Sequence, residues 1–231
     1  MAKPISRAEF RRRKKRKVIM IRAAFFTVCA VIIGLLIWGG ISLYRYLFMH
    51  VELGTLSIAG NRVVSADLID VNEYSRPGTR LNKKNVNGIV IHSADTAGVT
   101  AAERRNYYQF LKTSGTNHLS CHFVVGLDGE IKQCIPVTEI AYASGSRNGD
   151  TIALEYCFEE SDGSLNSETY SALVELTAAL VNRFELTSDE IYRHTDITEN
   201  PVVCAEYFED EENWQKFKSD VFYRAAQLGA K

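Results

Sequence analysis

Hydrophobic and polar positions follow two regimes along this 231-residue chain. The first is one apolar block. Residues 23–43 carry no charge over 21 positions and include Phe25, Phe26, Ile32, Ile33, Leu35, Leu36, Ile37 and Trp38. As a helix rising 1.5 Å per residue, this block reaches about 30 Å, the thickness of a bilayer core. It is longer than the apolar region of a cleaved signal peptide. Trp38, Tyr44, Arg45 and Tyr46 lie in its second half and just after it, as in an uncleaved anchor with an interfacial belt.

The second regime begins near residue 86 and mixes strand and helix periods. Residues 86–92 read as a strand, whose apolar run Ile89-Val90-Ile91 predicts burial and ends at His92. Thr100-Ala-Ala-Glu103 is a capping box, in which each side chain satisfies a free amide of the first turn. The helix it opens places Tyr107, Phe110 and Leu111 on one face. Residues 122–126 and 130–135 flank Asp128-Gly129 and predict a hairpin. Residues 151–157 read as another strand. Tyr170, Leu173, Val174, Thr177, Leu180, Val181 and Phe184 recur at helical steps, as do Trp214, Phe217, Val221 and Leu228. The acidic residues 209–212 suit the positive end of that last helix's dipole.

These elements predict an α/β domain. A single mixed central β-sheet is flanked by about three helices and preceded by one transmembrane helix. The expected organisation is a basic tail over 1–22, a transmembrane helix over 23–43, a connector over 44–84 packed on the outer domain, and the outer domain over 85–231. The outer domain is long enough to bury a core of its own.

Charge fixes an expected orientation. Residues 1–22 hold ten Lys and Arg against one acid, Glu9, with 11–17 an unbroken basic run. Such a flank holds the amino terminus in the cytoplasm and places the remainder outside, with the lipid bilayer as a partner of residues 23–43. Subtracting these charges from the totals of 27 basic and 28 acidic residues leaves 17 against 27. An acidic outer domain argues against nucleic acid as its partner.

The candidate chemistry lies in His92, His194 and Cys204. Two imidazoles and a thiol fill three corners of a tetrahedral zinc site and leave the fourth for water, the layout of a catalytic centre. Glu155 sits in the otherwise apolar Ile152-Ala-Leu-Glu-Tyr156, where an unpaired carboxylate would be costly without a purpose. A carboxylate there could move protons during hydrolysis. Strand alternation places Glu155 with Ala153 and Cys157. An outward-facing strand residue satisfies the same pattern. Asp196 could orient an imidazole or simply serve its own turn. His118, Cys121 and His122 form a rival local group without a fourth partner. Cys134 and Cys157 lie in expected strands, where they would pair if those strands were neighbours or remain small buried hydrophobes.

The order Gly88-Ile-Val-Ile-His92, Ser120-Cys-His-Phe-Val-Val-Gly126, Ala141-Tyr-Ala-Ser-Gly-Ser-Arg-Asn148, Asp150-Thr-Ile-Ala-Leu-Glu155 and Arg193-His-Thr-Asp-Ile197 resembles the type 2 N-acetylmuramoyl-L-alanine amidases. That family includes phage-type lysins and peptidoglycan recognition proteins. The resemblance spans about residues 74–220. It implies a zinc hydrolase that cuts the amide between N-acetylmuramic acid and L-alanine in peptidoglycan. By motif it maps the metal ligands onto His92, His194 and Cys204, the acidic catalytic residue onto Glu155, and substrate-groove positions onto Tyr142 and Asn148. It also implies that the second His motif, at His122, is not a ligand.

The chain departs from that pattern at several points. Cys121 stands where many members carry Tyr. Val202 and Ala205 replace the usual Lys before and Pro after the ligand Cys, and the interval from His194 to Cys204 is two residues longer than usual. A missing cation near the oxyanion would cost about 10²-fold or more in rate. The alternatives are therefore a catalytically degenerate peptidoglycan-binding module anchored to the membrane, and a membrane scaffold whose active part is the basic tail.

Overall fold

The computed structural model describes residues 7–44, 54–198 and 204–229, with side chains of the first segment from 14 to 41. Contacts divide the chain into two units, residues 1–50 and 51–231. In the first, α1 (Arg7–Tyr44) is a continuous helix. Its stretch Lys14–Ile41 is long and apolar enough to cross a membrane, and its large apolar side chains are exposed.

The second unit is built on one mixed sheet. Its strands are β1 (Ile58–Ala59), β2 (Arg62–Ala66), β3 (Ile89–Ser93), β4 (Phe123–Val125), β5 (Ile131–Gln133), β6 (Ile152–Tyr156) and β7 (Ile191–Arg193). Their spatial order is β1-β2-β5-β4-β6-β3-β7. β1 with β2 and β4 with β5 run antiparallel, and the other neighbours run parallel. The long helices are α2 (Ala101–Ser114) and α3 (Ser167–Phe184). The short α4 (His194–Ile197) follows β7, and α5 (Glu211–Gly229) closes the chain.

Strand alternation sorts the sheet into two faces. Ile89, Ile91, Phe123, Val125, Ile152, Leu154 and Tyr156 meet α3 and α5 in the larger core. Val124, Ala153 and Cys157 turn the other way, toward Ala101 and Tyr108 of α2. The capping box of α2 forms as expected, with the Thr100 side chain accepting from Glu103 N and the Glu103 side chain accepting from Thr100 N. Its buried face differs from the expected one. Arg104, Tyr108 and Leu111 turn inward, whereas Phe110 is 59% exposed. The apolar pattern misplaced this face because Arg104 occupies a core position.

The segment after residue 53 extends the sheet. β2 pairs in parallel with β5, and buried Gln133 donates to Gly54 O and accepts from Leu56 N. Further along, Arg76 forms a two-pronged ion pair with Glu139 and donates to Ile69 O.

All five cysteines are free. Cys134 and Cys157 are not neighbours, because β4 lies between their strands. Cys134 N bonds His122 O at one end of β4, and Cys157 N bonds Val125 O at the other.

Candidate functional site

The carboxyl ends of the parallel strands supply the site. β3 ends on His92 and Ser93. The neighbouring β6 places Glu155 in register with His92, so both side chains stand on the face shared with α2. β7 leads directly into His194 as the first residue of α4. Cys204 completes the group. Candidate ligand atoms of His92, His194 and Cys204 all lie within 4.8 Å of one another. The imidazole centroids are 4.7 Å apart, and Cys204 Sγ is 3.8 Å from His92 Nδ1. No other such group occurs among the described residues.

These three side chains open on a cavity of about 300 Å³. Asp95, Arg104, Cys121, Glu155, Phe158 and Glu206 are also in its wall. Burial lowers the His92 pKa to about 3, with a smaller contribution from His194, and lowers that of His194 as well. Both rings are thus neutral at neutral pH, the form that ligates metal. Burial raises the Cys204 thiol, an effect that a bound cation would reverse.

The rival group disperses. His118 is exposed, with its ring against Tyr74 and Tyr142. His122 is 1% exposed and fully used within the sheet. Its Nδ1 accepts from Ala153 N, so Nε2 carries the proton and donates to Glu139 O at 2.9 Å. Burial depresses its pKa to about 4. Above pH 6.5 both folded and unfolded forms are neutral here. Between about 4 and 6.5 only the unfolded form gains a proton, so stability falls as pH falls through this window. The loss approaches about 3 kcal/mol for this one group. Thermal melts between pH 7 and 4 should show the decline, with His92 adding to it. His122→Gln should flatten the slope by about one proton. An unchanged slope would assign the decline to other groups.

Asp196 does not touch an imidazole through any hydrogen bond. Both of its oxygens accept from Arg193, which also donates its backbone N–H. Neither Tyr142 nor Asn148 is in the cavity wall. Asn148 Oδ1 accepts from Ala143 N and Ser144 N, and so shapes the loop whose Ala143 does line the cavity. Tyr142 is partly exposed beside His118.

Ala205 explains one departure from the family pattern. Its φ of 62° is left-handed, and its N–H donates to Ser93 Oγ at 2.8 Å. Proline has no N–H and a φ fixed near −65°, so it fits neither demand. Val202 lies outside the described residues. Arg104 and Tyr108 escaped the sequence reading. The only signal was the i, i+4, i+7 spacing of Arg104, Tyr108 and Leu111, which becomes meaningful once a buried Arg is admitted.

Residues 82–204, more than half of the chain, match the family described as N-acetylmuramoyl-L-alanine amidase. The N-acetylmuramoyl-L-alanine amidase CwlL of Bacillus licheniformis is 31% identical over 174 residues, covering 68% of this chain and 46% of that protein. A probable N-acetylmuramoyl-L-alanine amidase of the same organism is 34% identical over 144 residues, covering 57% of this chain and 40% of the relative. The chain thus spans less than half the length of either. The catalytic domain of XlyA has the same fold, with a TM-score of 0.57 at 23% identity, covering 69% of this chain and 99% of that domain. With this family's pattern extending from the connector to Cys204, the chain belongs to the N-acetylmuramoyl-L-alanine amidases.

Proposed function

We propose that this protein is a zinc-dependent hydrolase of the amide between N-acetylmuramic acid and L-alanine in peptidoglycan, anchored by α1 with its second unit outside the cytoplasm. The convergence of His92, His194 and Cys204 on a cavity that also exposes Glu155 carries this reading. The names of the two Bacillus relatives support the choice of substrate.

The donor set fits zinc. Two imidazoles and a thiol match its borderline-soft preference. His194 Nδ1 is buried without a hydrogen-bond partner. The separation of 3.8 Å between Cys204 Sγ and His92 Nδ1 is close to the tetrahedral edge of about 3.6 Å that follows from ordinary zinc–sulfur and zinc–nitrogen lengths. When bound, zinc would polarise the scissile carbonyl and make water nucleophilic near neutral pH.

Glu155 takes the proton of the attacking water and returns it to the departing nitrogen as the C–N bond breaks. The products are a muramic-acid carboxyl group and the free amine of L-alanine. In this reading Tyr142 borders the groove. Asn148 acts on substrate through the loop that it closes.

The anchor rests on Lys14–Ile41 and on the basic residues before it. A reporter fused after Lys231 is expected to be exported. A reporter active only in the cytoplasm would sink the anchored reading.

The hydrolase reading is tested on the full chain in detergent by zinc stoichiometry and release of muramoyl-linked peptides. One zinc per chain and release that chelation stops are the expected results. Zinc without release would favour the degenerate binder, which the lack of any Lys or Arg between His194 and Cys204 supports. Absence of zinc would remove the hydrolase reading.

A further inference from the structure

The steps above leave unused the polar groups that α2 drives against the sheet. Arg104 is 5% exposed and Tyr108 is fully buried. Arg104 Nε donates to Glu155 Oε1 at 2.7 Å, and Nη2 donates to Oε2 at 2.8 Å. The Tyr108 hydroxyl donates to the same Oε2 at 2.8 Å. Arg104 Nη1 reaches outward to Asp95 Oδ1 at 2.6 Å. An ionised carboxylate offers about four acceptor positions. Three are filled from α2, two on Oε2 and one on Oε1. The position that remains is on Oε1.

We propose that Arg104 and Tyr108 are positioning residues that clamp Glu155 so that Oε1, and not Oε2, exchanges the proton with substrate. This inference rests on the hydrolase reading of Glu155. A purely structural ion pair would be a weak reason to bury these charges, since well-packed apolar side chains often stabilise as well or better. This pair is also not sealed in the core, because both Arg104 and Glu155 are part of the wall of the cavity that holds His92 and Cys204. Burial raises the Tyr108 phenol well above its ordinary range, so it stays protonated and acts as a donor. Burial opposes the Arg104 charge, but the hydrogen bonds and charge of Glu155 outweigh it. The fork geometry of a guanidinium fixes the plane of a carboxylate, which a lysine ammonium cannot do.

The test uses the full-length, zinc-loaded chain. Tyr108→Phe keeps the ring and removes one bond to Oε2. Its kcat is expected to fall about 10-fold, with KM and zinc content unchanged, as for a misdirected catalytic group. Arg104→Met is expected to lose about 10²-fold or more, and Arg104→Lys to recover part of that loss. If Arg104→Met fails to fold, Tyr108→Phe and Arg104→Lys carry the test. Melting temperatures supply a readout independent of turnover. The loss in the Arg104→Met, Glu155→Gln double variant should be smaller than the sum of the single losses. Wild-type kcat in both Tyr108→Phe and Arg104→Lys, or strictly additive melting losses, would overturn the clamp. A zinc-loaded wild type without turnover would sink the hydrolase reading instead, and the melting temperatures would then decide whether α2 holds Glu155.

Discussion

Glu155→Gln is expected to lower peptidoglycan hydrolysis by about 10³-fold, within the range usual for loss of a general acid–base group. Gln keeps the size and one acceptor oxygen but accepts no proton at neutral pH. Its environment adds a second consequence. Glu155 is 3% exposed and carries the two-pronged bond from Arg104. Removing its charge leaves Arg104 paired only with Asp95, whose side chain is 63% exposed. Breaking one side of a buried ion pair typically costs about 3–5 kcal/mol, so a lower melting temperature is expected as well. Glu155→Asp separates the two effects. It keeps the charge for Arg104 but draws the carboxylate back by one methylene, so stability should largely return while turnover remains about 10-fold or more below wild type. Zinc content should be unchanged in both variants, because Glu155 is not among the three clustered ligand candidates. Equal activity in wild type and Glu155→Gln would remove Glu155 from the mechanism.

The sequence made some of this site legible and hid the rest for physical reasons. His92 and Glu155 end or interrupt apolar strands, and a polar residue in such a run announces itself. The Asp128-Gly129 turn and the Thr100–Glu103 cap are local chemistry, which needs no tertiary information. Both form as expected, with Gly129 at a φ of 75°. Arg104 was hidden because a charged side chain within a helix ordinarily marks the solvent face. Its burial depends on a carboxylate 51 residues away in sequence. The entry of β2 into the sheet was equally hidden. β1 has two residues, β2 pairs in parallel with β5, and the Gln133 side chain holds the preceding segment at Gly54 and Leu56, contacts that no periodicity encodes. Ala205 shows a third kind of concealment. A departure from the family's proline reads as a loss in sequence, yet the backbone at this position requires a left-handed φ and a donor.

Replacing any one of His92, His194 and Cys204 by Ala is expected to take zinc from about one per chain to near zero and to abolish hydrolysis, whereas His118→Ala leaves both intact. The three candidate ligand atoms lie within 4.8 Å of one another, so removal of one leaves only two protein donors. His118 is excluded by its surroundings, since its ring sits between Tyr74 and Tyr142 at centroid distances of 5.2 and 5.4 Å. Stability gives an independent readout. A ligand present at 1,000 times its dissociation constant stabilises the folded state by about 4 kcal/mol, so chelation should lower the wild-type melting temperature. The three Ala variants should already melt near the chelated wild type and respond little to chelator. Cys204→Asp offers a finer test. Carboxylate oxygen is a competent zinc ligand with a shorter bond than sulfur, so partial zinc retention is expected if residues 199–203 let residue 204 approach the ion. Zinc loss in His118→Ala together with full retention in Cys204→Ala would show that the metal sits elsewhere, and the reading built on the ends of β3 and β7 would fall with it.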